Sequence, residues 1–166
     1  MMWELIEKSF KRYPSQEKIA KTLINLGLRV EGEKIFCGNI ELSDSAIARA
    51  LEVDRRVVAS TTKTIKSDPK LESVFKRLRP TCTLKDVAPI MGWSVLEILL
   101  SDITKPGLLG KIATEIGNEG VSIRQAIGED PQYSEGRVFI ITETAVPPEA
   151  VLAIRKIDGV QSVTLH

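Results

Sequence analysis

The stretch VLEILLSDITKPGLLGKIATEI, Val95 to Ile116, decides the reading of the C-terminal half. An apolar run, Val95 to Leu100, stops at Ser101-Asp102, and a Lys105-Pro106-Gly107 corner follows. Apolar residues then recur as Leu108, Leu109, Ile112, Ala113 and Ile116, the spacing of one helix face. Strand, glycine corner and helix start together aim backbone N–H groups outward. Gly107 has no Cβ, so a carboxylate can approach the backbone there. The first helical turn leaves N–H donors unpaired and carries partial positive charge, which favours an anion. Such a corner suits a small-molecule sensor better than a catalyst.

Outward from this corner, Gly117-Asn118-Glu119-Gly120 predicts a helix stop. Val121 to Ile127 then reads as a half-buried strand, with Val121, Ile123 and Ile127 alternating against Ser122, Arg124 and Ala126. The segment Gly128 to Gly136 is a polar, turn-rich loop, in which Glu129-Asp130 before Pro131 is a turn pair. Arg137 to Thr144 is a β-branched and aromatic run. Pro147-Pro148 opens a helix carrying Val151, Leu152, Ile154 and Ile157, with proline where its missing N–H costs little. Asp158-Gly159 ends that helix, and Val160 to His166 closes as a strand. The predicted order over Ser94 to His166 is βαββαβ.

This half resembles an ACT domain, the small ferredoxin-like module that binds amino acids in many regulated enzymes and regulators. The likeness is carried by Asp102, Pro106-Gly107-Leu108-Leu109, Ile112, Gly120-Val121-Ser122-Ile123 and Asp158-Gly159-Val160. It implies an effector site at the first strand–helix loop and the start of the second strand, usually at a subunit interface. Carried over residue by residue, that site is Asp102, Thr104, Gly107, Leu108 and Ser122; many ligand-binding members have Asn in the place of Ser122. Asp102 has two readings, a receiver for a ligand's ammonium group or a cap for its own loop. Arg124 likewise pairs with a ligand carboxylate or sits solvated on its strand.

The chain has 166 residues, enough for one ordinary domain or two small ones, and 43% of them are hydrophobic, as in a soluble globular protein. No apolar run approaches the ~20 residues of a membrane span. Glu4 and Glu7 interrupt the N-terminal apolar stretch, unlike a signal peptide. Cys37 and Cys82 stand far apart with no metal-ligand spacing, which suits a reducing cytoplasm.

The net charge of +1 hides two halves of opposite sign. Residues 1–93 hold 17 Lys and Arg against 12 Asp and Glu, a balance of +5, and residues 94–166 hold 6 against 10, a balance of −4. A basic N-terminal part is compatible with a polyanionic partner. Within it, Met2 to Tyr13 is amphipathic, with Ile6 and Phe10 on one face. Ile19, Leu23 and Leu26 mark a second helix ended by Gly27. Leu28 to Phe36 reads as a short hairpin about Glu31-Gly32. Ser43 or Asp44 caps a helix with Ile47, Ala50 and Leu51 inward, and Asp54 caps the next, Arg55 to Ser67. Small Ala46 and Ala50 permit a close helix crossing. Asp68-Pro69 starts a further helix with Leu71, Val74, Phe75 and Leu78 at helical spacing, and Arg79-Pro80-Thr81 breaks it.

The segment Ile47 to Ile65 resembles a helix-turn-helix DNA-binding unit. In its second helix Val58, Thr61, Thr62 and Ile65 lie on one side, with Arg56, Ala59, Ser60, Lys63 and Ser67 opposite. Long cations, hydroxyls and small residues are what a groove-facing surface needs. The DNA-contacting set is Arg55, Arg56, Ser60, Lys63 and Ser67, and Lys66, Lys70, Lys76, Arg77 and Arg79 offer further phosphate contacts. Glu52 stands where many such turns carry Gly, which predicts a longer or more helical turn. The alternative for this segment is a helical bundle with a solvated basic face.

The expected organisation is α+β: a mainly helical helix-turn-helix region with a short hairpin over 1–80, a packed connector over 81–93, and a ferredoxin-like ACT domain over 94–166. The connector reads as a short helix whose Val87, Ile90, Met91 and Trp93 pack on the sheet, as plain core or as a transmitter. Together the halves resemble a group of predicted regulators of amino-acid metabolism, known mainly from archaea. Leucine-responsive regulators share the arrangement, but the Lys105-Pro106-Gly107 corner favours ACT. The resemblance implies a transcription factor whose partners are double-stranded DNA, a free amino acid and a second copy of the chain in a homodimer or higher homo-oligomer, with no cofactor and no membrane. The alternative is an ACT-type regulatory subunit that docks on a biosynthetic enzyme through Ile6 and Phe10.

Catalysis is not expected. The single histidine, His166, removes Ser-His and Cys-His nucleophile pairs, and no glycine-rich phosphate loop occurs.

Overall fold

Ser43, Asp54, Asp68 and Gly107 set where four helices begin in the computed structural model, which describes residues 2–129 and 136–166. Residues 130–135, the middle of the polar loop expected after Gly128, with Asp130 of the turn pair and Pro131 after it, lie outside the described residues. The chain is mixed α+β, with seven α-helices and two antiparallel sheets among the described residues. It divides into two units, Met1–Cys82 and Thr83–His166.

The first unit runs α1 (Met2–Phe10), α2 (Pro14–Asn25), β1 (Arg29–Glu31), β2 (Lys34–Cys37), β3 (Ile40–Leu42), α3 (Asp44–Leu51), α4 (Arg55–Ser67) and α5 (Pro69–Phe75). Ile6, Phe10, Ile19, Leu23, Ile35, Val58, Ile65, Leu71 and Phe75 are all 0% exposed and form one cluster. Each such burial contributes about 1.5–3 kcal/mol. The hairpin gains a third strand, giving a sheet of order β1-β2-β3. Pairing of Glu31 with Lys34 centres the first turn on Gly32-Glu33, one residue later than expected, and pairing of Cys37 with Ile40 makes Gly38-Asn39 the second. Gly32 and Gly38 take φ of 65° and 58°, which a side chain disfavours.

Two inward assignments change. Leu26 follows the end of α2 and is exposed; the chain turns at Gly27 (φ +63°) and buries Leu28 instead. On α3 the small residue facing the core is Ala48, and Ala46 and Ala50 are exposed.

The second unit runs β4 (Ser94–Leu100), α6 (Leu108–Asn118), β5 (Ile123–Gly128), β6 (Arg137–Thr142), α7 (Pro148–Arg155) and β7 (Val160–Leu165). Its sheet has the order β5-β6-β4-β7, with every neighbouring pair antiparallel. Side chains alternate across a strand. Leu96, Ile98, Leu100, Val138 and Ile140 therefore meet Ile112, Ile116 and Ile154 of the helices, and Val95, Phe139 and Ile141 face the other way.

On that other face Ala88 and Trp93 cover Val95, Phe139 and Ile141, and Val95 is 1% exposed. The Leu84 N–H donates to Gln125 Oε1 at 2.9 Å, and Lys85 Nζ sits 4.1 Å from the centre of the Phe139 ring. The connector is turns and one short 3-10 turn, Ala88–Met91, broken by Gly92 at φ +73°. Val87, Ile90 and Met91 are exposed, against expectation; Ile90 is 85% exposed. Leu152 of α7 is likewise exposed.

A bulge interrupts β5, because Ile123 opposes Thr142 while Gln125 already opposes Ile141. Ile123 packs with the helix-side core, and Ile127 pairs with Phe139 of the opposite face. The strict alternation that put both on one face fails by that extra residue. No described helix is long and apolar enough to cross a membrane.

Candidate functional site

Ser43 Oγ accepts from the Ala46 N–H at 3.2 Å and starts α3. At the other end Glu52 adopts φ 57°, ψ 46°, while the Val53 N–H donates to Ala48 O at 3.0 Å and the Glu52 N–H to Arg49 O at 3.4 Å. This left-handed closure is one that glycine favours. Glu52 takes the glycine conformation itself, so the turn is neither lengthened nor more helical. Asp54 Oδ1 then accepts from the Arg56 N–H at 2.7 Å and opens α4.

Val58, Thr61, Thr62 and Ile65 are 0% exposed. Thr61 Oγ1 donates to Val57 O at 2.7 Å and Thr62 Oγ1 to Ala59 O at 3.0 Å, so both hydroxyls are satisfied inside the helix and can be buried. Opposite them Arg55, Arg56, Lys63 and Ser67 are exposed, with Ala59 between. At 3.6 residues per turn these five fall within an arc of about 120°. Ser60 stands apart from that group: half-buried, its Oγ accepts from Gln16 Nε2 at 3.0 Å, and Thr64 Oγ1 donates to Gln16 Oε1 at 3.2 Å. It belongs to the seam between α2 and α4. Gln16 was missed in the sequence, where nothing distinguishes it from a surface glutamine; it is 9% exposed.

Of the further cations, Lys66 pairs with Glu33 at 3.2 Å, Arg77 donates to Ser73, and Arg79 donates to the Leu78 carbonyl. Lys70 and Lys76 are exposed and have no ion pair among the described residues. Ile6 and Phe10 are fully buried in the core, so the face on which a docking alternative rested is already covered.

In the second unit Asp102, Thr104 and Gly107 share the loop between β4 and α6. Asp102 Oδ1 accepts from the Thr104 N–H at 2.8 Å and from Thr104 Oγ1 at 2.6 Å. Those two bonds, the hydroxyl's first, hold the Asp102 carboxyl below its ordinary value. The same bonds make Asp102 a cap of its own loop. Lys105 Nζ lies 2.6 Å from Asp158 and, by that bond and its charge, lowers the Asp158 carboxyl also. Gly107, at φ +79°, begins α6 with no side-chain cap, and the space around its Cα is open. The left-handed φ, more than close approach, is what requires glycine here.

Leu108 is 3% exposed and packs in the core, against Gly159, so only its backbone faces the loop. Its N–H is directed at Lys105 O at 3.5 Å. Ser122 is exposed at the approach to β5. Arg124 is exposed on its strand, pairs with Glu143 at 3.2 Å and lies over Trp93. Four surface depressions are described, and none is lined by any of these five loop and strand residues.

No protein-family model and no curated protein matches the chain. Among solved structures, that titled "Crystal structure of PH0061", of an archaeal protein, is 14% identical and aligns over 91% of this chain and 88% of that one, with a TM-score of 0.29.

Proposed function

We propose that the chain is a transcriptional regulator of amino-acid metabolism, with a helix-turn-helix head in the first unit and an ACT-type, ferredoxin-like sensor in the second. The observation that carries the reading is α4: its inner face is fully buried, and its outer face presents Arg55, Arg56 and Lys63 around small Ala59. Guanidinium and ammonium groups on such a helix reach phosphates and guanine edges, and Ala59 lets the helix approach the groove floor. The two carboxylate and hydroxyl caps and the tight Glu52 turn support a fixed angle between α3 and α4.

For the second unit, the βαββαβ order and the strand arrangement β5-β6-β4-β7 support the ferredoxin-like reading. The effector we envisage is a free amino acid, its carboxylate at the uncapped start of α6 beyond Gly107 and its polar groups near Thr104 and Ser122. The exposed loop is open, and a second copy of the chain would complete it. Two copies would also set two reading helices about 34 Å apart, one turn of duplex. Effector binding that favours one dimer geometry by ~1–3 kcal/mol would change operator affinity several-fold to a hundred-fold.

The test is binding to duplex DNA across a salt series, with wild type and R56E/K63E, followed by a screen of the amino acids on the wild type. A steep salt slope lost in the variant supports the head. Weak binding unchanged by the substitutions refutes it, and indifference to every amino acid refutes the sensor.

A further inference from the structure

At the end of α4 the chain turns directly into α5, and a depression opens there between this junction and α1. Lys8 and Ser9 of α1 line it on one side, and Ser67, Asp68 and Lys70 on the other. Neither Lys8 nor Lys70 has an ion pair among the described residues, and both are exposed. The one acid in the depression is occupied: Asp68 Oδ1 accepts from the N–H groups of Lys70 and Leu71, at 2.8 and 3.3 Å. Two ammonium groups therefore share a concave site with the Ser9 hydroxyl and a carboxylate already bound by backbone donors.

Ser67 ties this depression to the outer face of α4, because it belongs to both. That face thus has cations at each end. Arg55 and Arg56 open the helix, Lys63 stands along it, and Lys8 and Lys70 flank its last residue. The twelve-residue step from Arg55 to Ser67 is about 18 Å at 1.5 Å per residue. A major groove is about 12 Å wide. The helix is longer than the groove is wide, so crossing it obliquely brings the two ends toward opposite phosphate walls.

Building on the DNA-binding reading, we infer that Lys8 and Lys70 form a phosphate clamp at the C-terminal end of α4, gripping the DNA backbone on the wall opposite Arg55 and Arg56. It makes α1, which the helix-turn-helix likeness leaves out, part of the DNA surface. The clamp holds a phosphodiester by charge and by a hydroxyl donor, so it contributes affinity without sequence preference.

The experiment compares duplex binding by wild type, K8Q/K70Q, K8R/K70R and R56E/K63E, each checked for folding by circular dichroism, at several salt concentrations and on two unrelated duplexes. Two lost phosphate contacts reduce the slope of log affinity against log salt by about 1.8. K8Q/K70Q should therefore bind both duplexes more weakly by the same factor, with the shallower slope, and K8R/K70R should match wild type. An unchanged slope in K8Q/K70Q beside a lost slope in R56E/K63E overturns the clamp and leaves the head intact. A wild type that binds no duplex at any salt overturns both.

Discussion

Substituting Gly27 by alanine should destabilise the first unit by about 2–4 kcal/mol. Gly27 has φ +63°, and a Cβ built on it would lie 2.2 Å from the carbonyl oxygen of Arg79, 2.6 Å from its carbonyl carbon and 2.8 Å from Pro80 Cα. Ordinary contact begins at 3.4 Å, so the backbone at 79–80 or at 27 must move by about 1.2 Å. The left-handed conformation alone costs an L-residue roughly 1–2 kcal/mol, and overpacking adds about 1–3. Reduced freedom of the unfolded chain returns about 0.4–1 kcal/mol. Gly32 supplies the control. It has nearly the same φ, +65°, and nothing within 4 Å of its would-be Cβ. Gly32→Ala should then cost only about 1 kcal/mol, the conformational part without the clash. Urea unfolding followed by Trp3 fluorescence in a W93F background reads the first unit alone, because Trp3 packs in that core. Equal losses in the two variants would refute the reasoning, since they would mean that residues 79–80 give way without cost.

Other expectations test the site more directly. Glu52→Gly should hold or raise stability by up to about 1 kcal/mol, because relief of the left-handed strain outweighs glycine's added entropy; a loss of more than 1 kcal/mol in the same assay would contradict that. Gln16→Ala removes the partner of Ser60 and Thr64 and should cost about 1–3 kcal/mol, with the backbone amides of 60–64 exchanging faster in hydrogen-exchange measurements. The Asp102 carboxyl is lowered in the folded chain, so its bonds to Thr104 persist above the ordinary aspartate value of 3.8 and are lost as pH falls through the lower folded value. Followed by NMR, the Thr104 amide should titrate with a midpoint below 3.8; a midpoint at or above it would show that the cap does not form. Asp158→Asn should remove the partner of Lys105 and leave the Thr104 midpoint lowered, because the Thr104 bonds and not Lys105 are its main cause.

Much of this architecture was legible because it is written in local chemistry. The caps at Ser43, Asp54 and Asp68 pair a side-chain oxygen with N–H groups two or three residues on, so the sequence contains both partners. The spacing of Ile6 and Phe10, or of Leu108, Ile112 and Ile116, needs only a helix and one core. What was illegible depends on distant residues. Strand β3 has three residues and an exposed Ile40, so no periodicity announces it; only pairing with β2 defines it. Ser60 carries the chemistry of a groove-facing hydroxyl, and only the approach of Gln16, 44 residues away, shows that it serves a helix seam. Val87, Ile90 and Met91 are apolar enough to promise burial. Pro89 and Gly92 instead curl the segment into a 3-10 turn, from which Ala88 is the residue that reaches the sheet.

The bulge at Ile123–Gln125 changes which kind of inherited mutation this chain can tolerate. Conservative replacements along β5 keep every side chain on its own face. Losing the codon for Arg124 would remove the unpaired residue while leaving Gln125, Ala126 and Ile127 opposite Ile141, Ile140 and Phe139. Losing Ala126, beyond the bulge, would instead slip the rest of the strand by one and turn it over. After that second loss Ile127 would stand opposite Ile140, on the helix side, and no longer opposite Phe139. Gly128, whose would-be Cβ lies 3.2 Å from Ile103, would meet a different surface. Relatives of this chain should therefore keep the length of the strand beyond the bulge, with insertions and deletions falling at the bulge itself or in the loops on either side.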